Sequence, residues 1–163
     1  MNINTLFNLL DDWGCLPAYQ LERRADIFFA LHLKEILLKL YETEIDVIIP
    51  EFPIRKGSLS QDPLYNSEPK IGKNQSFKID YLAYSKNKNR VYFIELKTDI
   101  GSRNPKQDWY LKEAQKLGMH KILEDLKPIY KASNKNGRIK YEHLFKKLSA
   151  KGLIKGTNAS FEI

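Results

Sequence analysis

The chain has one cysteine, Cys15, so it contains no internal disulfide, and only three scattered histidines, so no Cys/His zinc cluster can be assembled. Any metal must therefore be held by oxygen. No apolar run approaches the roughly 20 residues of a membrane span, which excludes a bilayer-crossing helix. The opening "MNINTLFNLLDDWG" has neither a basic leader nor a small-residue cleavage site, and a cytoplasmic location is expected. Internal repeats and low-complexity tracts are also missing.

What remains is ordinary globular material. In 163 residues, 42% hydrophobic content with 12% aromatics is enough for one sizeable core, so a single domain over 1–163 is expected. The formal charge of +7 is unevenly spread. Residues 1–100 hold 13 Lys+Arg against 14 Asp+Glu, and residues 101–163 hold 14 against 6. Basicity gathered in the last third suits a polyanionic partner such as nucleic acid; a solvated, Lys-rich surface is the plain alternative.

After Pro17, residues 18–42 contain no Gly or Pro and predict one long helix, apolar around most of its circumference and so well buried. "EIDVIIPEFPI" (44–54) is β-branched and carries two prolines, which predicts a strand fraying toward its end. Residues 55–76 are polar, rich in Gly, Ser and Pro, and aperiodic, so a long loop insertion is expected there. Two alternating strands follow in "FKIDYLAYSKNKNRVYFIELKTD" (77–99). A helix is expected over about 106–126 and a basic one over about 138–151, with a weak strand signal in the tail. This order indicates an α/β structure in which helices cover both faces of a mixed sheet that opens with an antiparallel three-strand meander.

The hairpin carries the unusual chemistry. A turn centred on Asn87-Lys88 opposes residues whose numbers sum to 175: Ser85 with Arg90, Leu82 with Phe93, and Asp80 with Glu95. By the two-residue period, Lys78, Asp80, Leu82 and Tyr84 share a face with Val91, Phe93, Glu95 and Lys97. Two carboxylates about 5 Å apart would repel by about 3 kcal/mol at an effective dielectric near 20. A divalent cation between them would offset that repulsion, and hard oxygen ligands point to Mg²⁺, with Mn²⁺ as the alternative. A surface charge ladder with Lys78 and Lys97 is the plain reading, but it leaves the acid-to-acid register and the otherwise apolar face unexplained.

On a helical wheel Glu22 lines up with Phe29, Leu33, Ile36 and Leu40, the centre of the apolar face, whereas Glu35 falls in a polar strip with His32 and Lys39. A meander packed along the helix brings the helix N-terminus to the level of Asp80, Glu95 and Lys97, and Glu35 is about 20 Å further along. Glu22 is therefore the expected helical acid, with Glu35 in reserve. The plain reading of Glu22 is an acid suited to the first turns of a helix. His120, His143, Trp13 and Trp109 are expected to be surface or packing residues.

A helical Glu, Ile79-Asp80 on the second strand and Glu95-Leu96-Lys97 on the third resemble the PD-(D/E)XK phosphodiesterase superfamily, which includes restriction endonucleases, Holliday-junction resolvases and RecB-like exonucleases. The resemblance spans residues 18–127, with Ile79 where the name-giving proline would stand. It implies a restriction-endonuclease-like core and metal-dependent hydrolysis of phosphodiesters, with DNA the expected substrate. It implies that Asp80 and Glu95 hold one or two Mg²⁺ ions, that the Leu96 carbonyl completes the shell, and that Glu22 is an outer or second-metal ligand. Lys97 would orient or deprotonate the attacking water. Gln107 and Tyr110 loosely resemble the Gln-x-x-x-Tyr motif of RecB-like members, one residue short. "RIKYEHLFKKLSAKGLIKG" would supply phosphate contacts. Assembly of two copies to cut both strands is compatible with this reading. The competing class is a non-cleaving nucleic-acid-binding or protein-interaction module on the same fold.

Overall fold

The computed structural model describes residues 3–14, 24–59, 74–96 and 105–163. Among these residues five α-helices, α1 (Ile3–Gly14), α2 (Arg24–Tyr41), α3 (Pro105–Glu124), α4 (Leu126–Ala132) and α5 (Lys135–Ala150), and a short 3-10 turn (Lys56–Ser58) accompany three strands, β1 (Val47–Arg55), β2 (Ser76–Ser85) and β3 (Arg90–Ile94). The strands form one sheet in the order β1-β2-β3, antiparallel throughout.

The β2–β3 hairpin follows from its turn. Lys86 to Asn89 turn the chain, and Asn89 takes φ 45°, a left-handed conformation that Asn tolerates better than most residues. Its side chain accepts from the Tyr84 hydroxyl at 2.9 Å. The resulting pairs, from Ser85 with Arg90 to Tyr81 with Ile94, all sum to 175, the register expected from the sequence.

Helices meet both faces of the sheet. Phe77, Ile79, Tyr81 and Ala83 share one face of β2 by strand alternation. On that side Trp13 of α1 sits edge-on to Tyr81 at 6.3 Å, and Tyr110 of α3 stacks on Phe77 at 4.8 Å. Ser76 and its pair Arg55 belong to the other face, where Tyr141 of α5 lies across a cavity from Ser76 and Arg55 reaches Asp125 between α3 and α4. One cluster of buried side chains, including Phe52, Ile79, Leu82, Leu126 and Phe145, joins strands and helices.

Several expectations are corrected. The sheet is not mixed among the described residues: the tail folds back on itself through a single bridge, Lys155 with Glu162, and buries Phe161 against Phe145 at 5.2 Å instead of adding a core strand. The expected 106–126 helix is α3, Pro105–Glu124, with one interruption inside it and a break at its end. Gly118 interrupts α3 at φ 74°, and the chain turns at Asp125 before α4. Pro128 explains the second break, because in a continuous helix its ring would strike the carbonyl of Glu124; in the first turn of α4 it is harmless. Helix α5 begins three residues before 138 because Asn134 caps it, accepting from Gly137 N at 2.8 Å.

Helix α2 is the largest correction. Among its described side chains Leu33 and Leu37 are buried, while Phe29 is 47% and Leu40 67% exposed, with Ile36, Leu38 and Tyr41 also exposed. A helix apolar on nearly every side gives no stripe to select, and the face chosen from the wheel is the one left largely outside.

Candidate functional site

The site of interest is the open end of the hairpin. Ladder pairing stops at Tyr81–Ile94, one step before Asp80 and Glu95 would meet. Beyond it the Asp80 carboxylate replaces a strand partner: the Leu96 backbone N–H donates to Asp80 Oδ2 at 2.8 Å. A charge-assisted bond of this kind fixes one carboxylate oxygen and aligns the 95–96 segment beside β2. Both carboxylate oxygens of Glu95 are buried. The two acids thus sit on adjacent antiparallel segments at the same level of the sheet, one held by a main-chain donor and the other withdrawn from water.

A third acid lies at that level and went unread in the sequence. Pro50 pairs with Tyr81 and Phe52 with Ile79, so Glu51 falls opposite Asp80 from the β1 side. Glu51 has φ 48°, which costs a non-glycine residue roughly 1–2 kcal/mol, in the middle of a strand and between Pro50 and Pro53. The "PEFP" run was visible as a fraying signal, but the β1–β2 register passes through the 55–76 loop and no turn specifies it. Among the described residues no group of three or more Asp, Glu, His or Cys is arranged to hold a metal ion, so Glu51 does not complete a three-acid cluster.

The remaining expected residues divide clearly. Glu22 and Lys97 lie outside the described residues. Of the line Phe29, Leu33, Ile36 and Leu40 with which Glu22 was aligned, Leu33 is buried and the other three are exposed. Glu35, the reserve acid, has a side chain 74% exposed that pairs with His32 one turn away, at 3.7 Å. Gln107 is half-buried in the first turn of α3, one turn before Tyr110, whose ring is engaged by Phe77.

Two acids at helix junctions, Asp125 and Asp12, are each met by basic groups. Asp125, 2% exposed, takes Lys121 Nζ at 3.0 Å and Arg55 Nη1 at 3.5 Å. Arg55 also donates to Asn74 Oδ1 at 2.9 Å, tying the end of β1 to the residue that leads into β2. Asp12 of α1 joins α5 through His143 Nε2 at 3.0 Å and a short contact with Lys147 Nζ. Burial, then Lys146, lowers the His143 pKa from its ordinary value, and burial, then Lys151, lowers that of Lys147. A nearby carboxylate would raise His143; Lys147 already neutralises Asp12, so desolvation decides and neutral imidazole donates from Nε2.

These contacts also revise the basic stripe of the C-terminal third. Lys147 is committed to Asp12, and Arg138 donates to the carbonyls of Lys131 and Ser133, capping α4. Lys146, Lys151 and Lys155 are exposed and Lys140 is half-buried. No described helix is long and apolar enough to cross a membrane. Comparison with family models, with curated proteins and with solved structures found no match for this chain.

Proposed function

We propose that the chain is a metal-dependent nuclease that hydrolyses phosphodiester bonds in DNA, built on the PD-(D/E)XK plan that its Asp80 and Glu95-Leu96-Lys97 resemble. One observation carries this reading. The hairpin register brings Asp80 level with Glu95, and Asp80 is anchored there by the Leu96 N–H.

The donor set fits Mg²⁺, which is commonly bound by one or two carboxylates while keeping several waters and accepting substrate phosphate oxygens. Asp80, Glu95 and the Leu96 carbonyl would hold it. When bound, the ion would lower the pKa of a water and draw charge from the phosphate. The chain's own residues do the positioning. The Leu96 N–H fixes Asp80 Oδ2, and the withdrawal of the Glu95 oxygens from solvent strengthens every charge interaction there. Lys97, two residues after Glu95, would orient the attacking water and stabilise charge on the phosphate as a compact ammonium.

The test is incubation of purified protein with supercoiled, linear, single-stranded and branched DNA in Mg²⁺ or Mn²⁺. Nicking or degradation that EDTA and Lys97→Ala both abolish is expected. Retained DNA binding with no cleavage of any substrate would replace this reading with a non-cleaving binding module.

A further inference from the structure

A cavity of about 340 Å³ opens where β2 begins, between that strand and the α4–α5 hairpin. Asn74, Gln75, Ser76 and Lys78 form one wall; Ile129, Ser133, Gly137, Lys140 and Tyr141 form the other. Tyr141 lines the cavity opposite Ser76 and is otherwise buried.

The lining is cationic and amide-rich. Neither Lys78 nor Lys140 forms an ion pair with a described residue, in contrast to Lys121 and Lys147. The first turns of the 16-residue α5 add the positive end of a helix dipole, since Gly137 and Lys140 both belong to them. Lys78 lies two residues before Asp80 on the same face of β2, about 7 Å along the strand. The cavity therefore adjoins the acid pair.

We infer that this cavity binds a phosphate and its attached nucleotide in an unpaired nucleic-acid strand, with Lys78 and Lys140 on the phosphate and the Asn74 and Gln75 amides toward the base. The assignment rests on the nucleic-acid substrate class proposed above, and not on hydrolysis. A recess admits a splayed nucleotide, whereas a duplex keeps its bases stacked inside and presents a continuous backbone ridge. Two lysines without carboxylate partners in a concave wall have the chemistry of a phosphate contact, and side-chain amides pair with base edges.

The experiment is a fluorescence-anisotropy titration of a labelled 12-mer oligothymidylate in EDTA at several salt concentrations, so that no cleavage intervenes. Lys78→Gln with Lys140→Gln is expected to weaken binding about tenfold and to flatten the log–log salt dependence by about 1.4, from two lost phosphate contacts on a single strand. Lys34→Gln with Lys39→Gln, equal in charge but exposed on α2, is expected to leave affinity within about twofold. The exposed Lys78→Gln alone, which a folding defect would spare, is expected to remove about half of the slope change. Unchanged binding by the cavity pair, an equal loss in the control pair, or equal affinity for a duplex with the same loss would each overturn the assignment. Metal-dependent cleavage by the wild type alongside unchanged binding by the cavity pair would remove the cavity and leave the nuclease reading standing.

Discussion

The acids of this protein live in two kinds of surroundings. Asp125 and Asp12 sit at helix junctions and each is met by two basic groups from other positions, Lys121 and Arg55 in one case and Lys147 and His143 in the other. Asp80 sits on the central strand of the sheet, is held by a backbone N–H, and has acids for register neighbours on both sides, Glu51 by β1 and Glu95 by the end of β3. The first arrangement joins helices to the rest of the fold. The second sets acids on adjacent segments at one level of a sheet, where each raises the cost of ionising its neighbour.

The contrast is broken most sharply by neutralising one acid of each kind. Asp80→Asn keeps the shape of the side chain and is expected to lower cleavage by at least about a hundredfold with little loss of stability, measured by plasmid nicking alongside thermal unfolding. Asp125→Ala is expected to do the reverse, lowering stability by about 2 kcal/mol in urea titration while the folded fraction keeps its activity. If Asp80→Asn instead lowers stability while the folded fraction keeps its activity, the two environments have been assigned the wrong way round.

Smaller effects sharpen the comparison. Glu51→Gly relieves a left-handed backbone at φ 48° and is expected to raise stability by about 1 kcal/mol, whereas Glu51→Ala gives no such gain; paired denaturant titrations would separate them. The smallest effect concerns His143. Its folded pKa lies below 6.5, so the unfolded chain binds the proton first, and stability is full above pH 6.5 and declines as pH falls through that value toward the folded pKa. Thermal midpoints measured from pH 8 to 5 should show this decline, and His143→Gln should flatten it.

How much of this was legible in the sequence depends on whether a local rule fixed the answer. The β2–β3 register was, because a tight polar turn sets strand pairing and period two then dictates which side chains share a face. That argument put Asp80 level with Glu95 from the sequence alone. The β1–β2 register was not legible, since nothing in residues 55–76 counts residues across, and Glu51 was missed with it. Nor was the buried face of α2, where apolar residues surround the helix and tertiary contact alone selects Leu33 and Leu37. The break at Asp125 was readable in principle from Pro128, whose effect falls four residues upstream. Arg138 and Lys147 looked like phosphate contacts because composition records charge and says nothing of the carbonyls and of Asp12 that engage them.

The central claim is that Asp80 and Glu95 together bind a divalent cation. Titrating the protein with Mn²⁺ and following free ion by electron paramagnetic resonance tests this without any assumption about substrate. The account predicts stoichiometric uptake of one or two ions, lost in Asp80→Asn and in Glu95→Gln while both variants remain folded. Uptake that both variants retain undiminished, or a wild-type protein that takes up no Mn²⁺ at all, would contradict it.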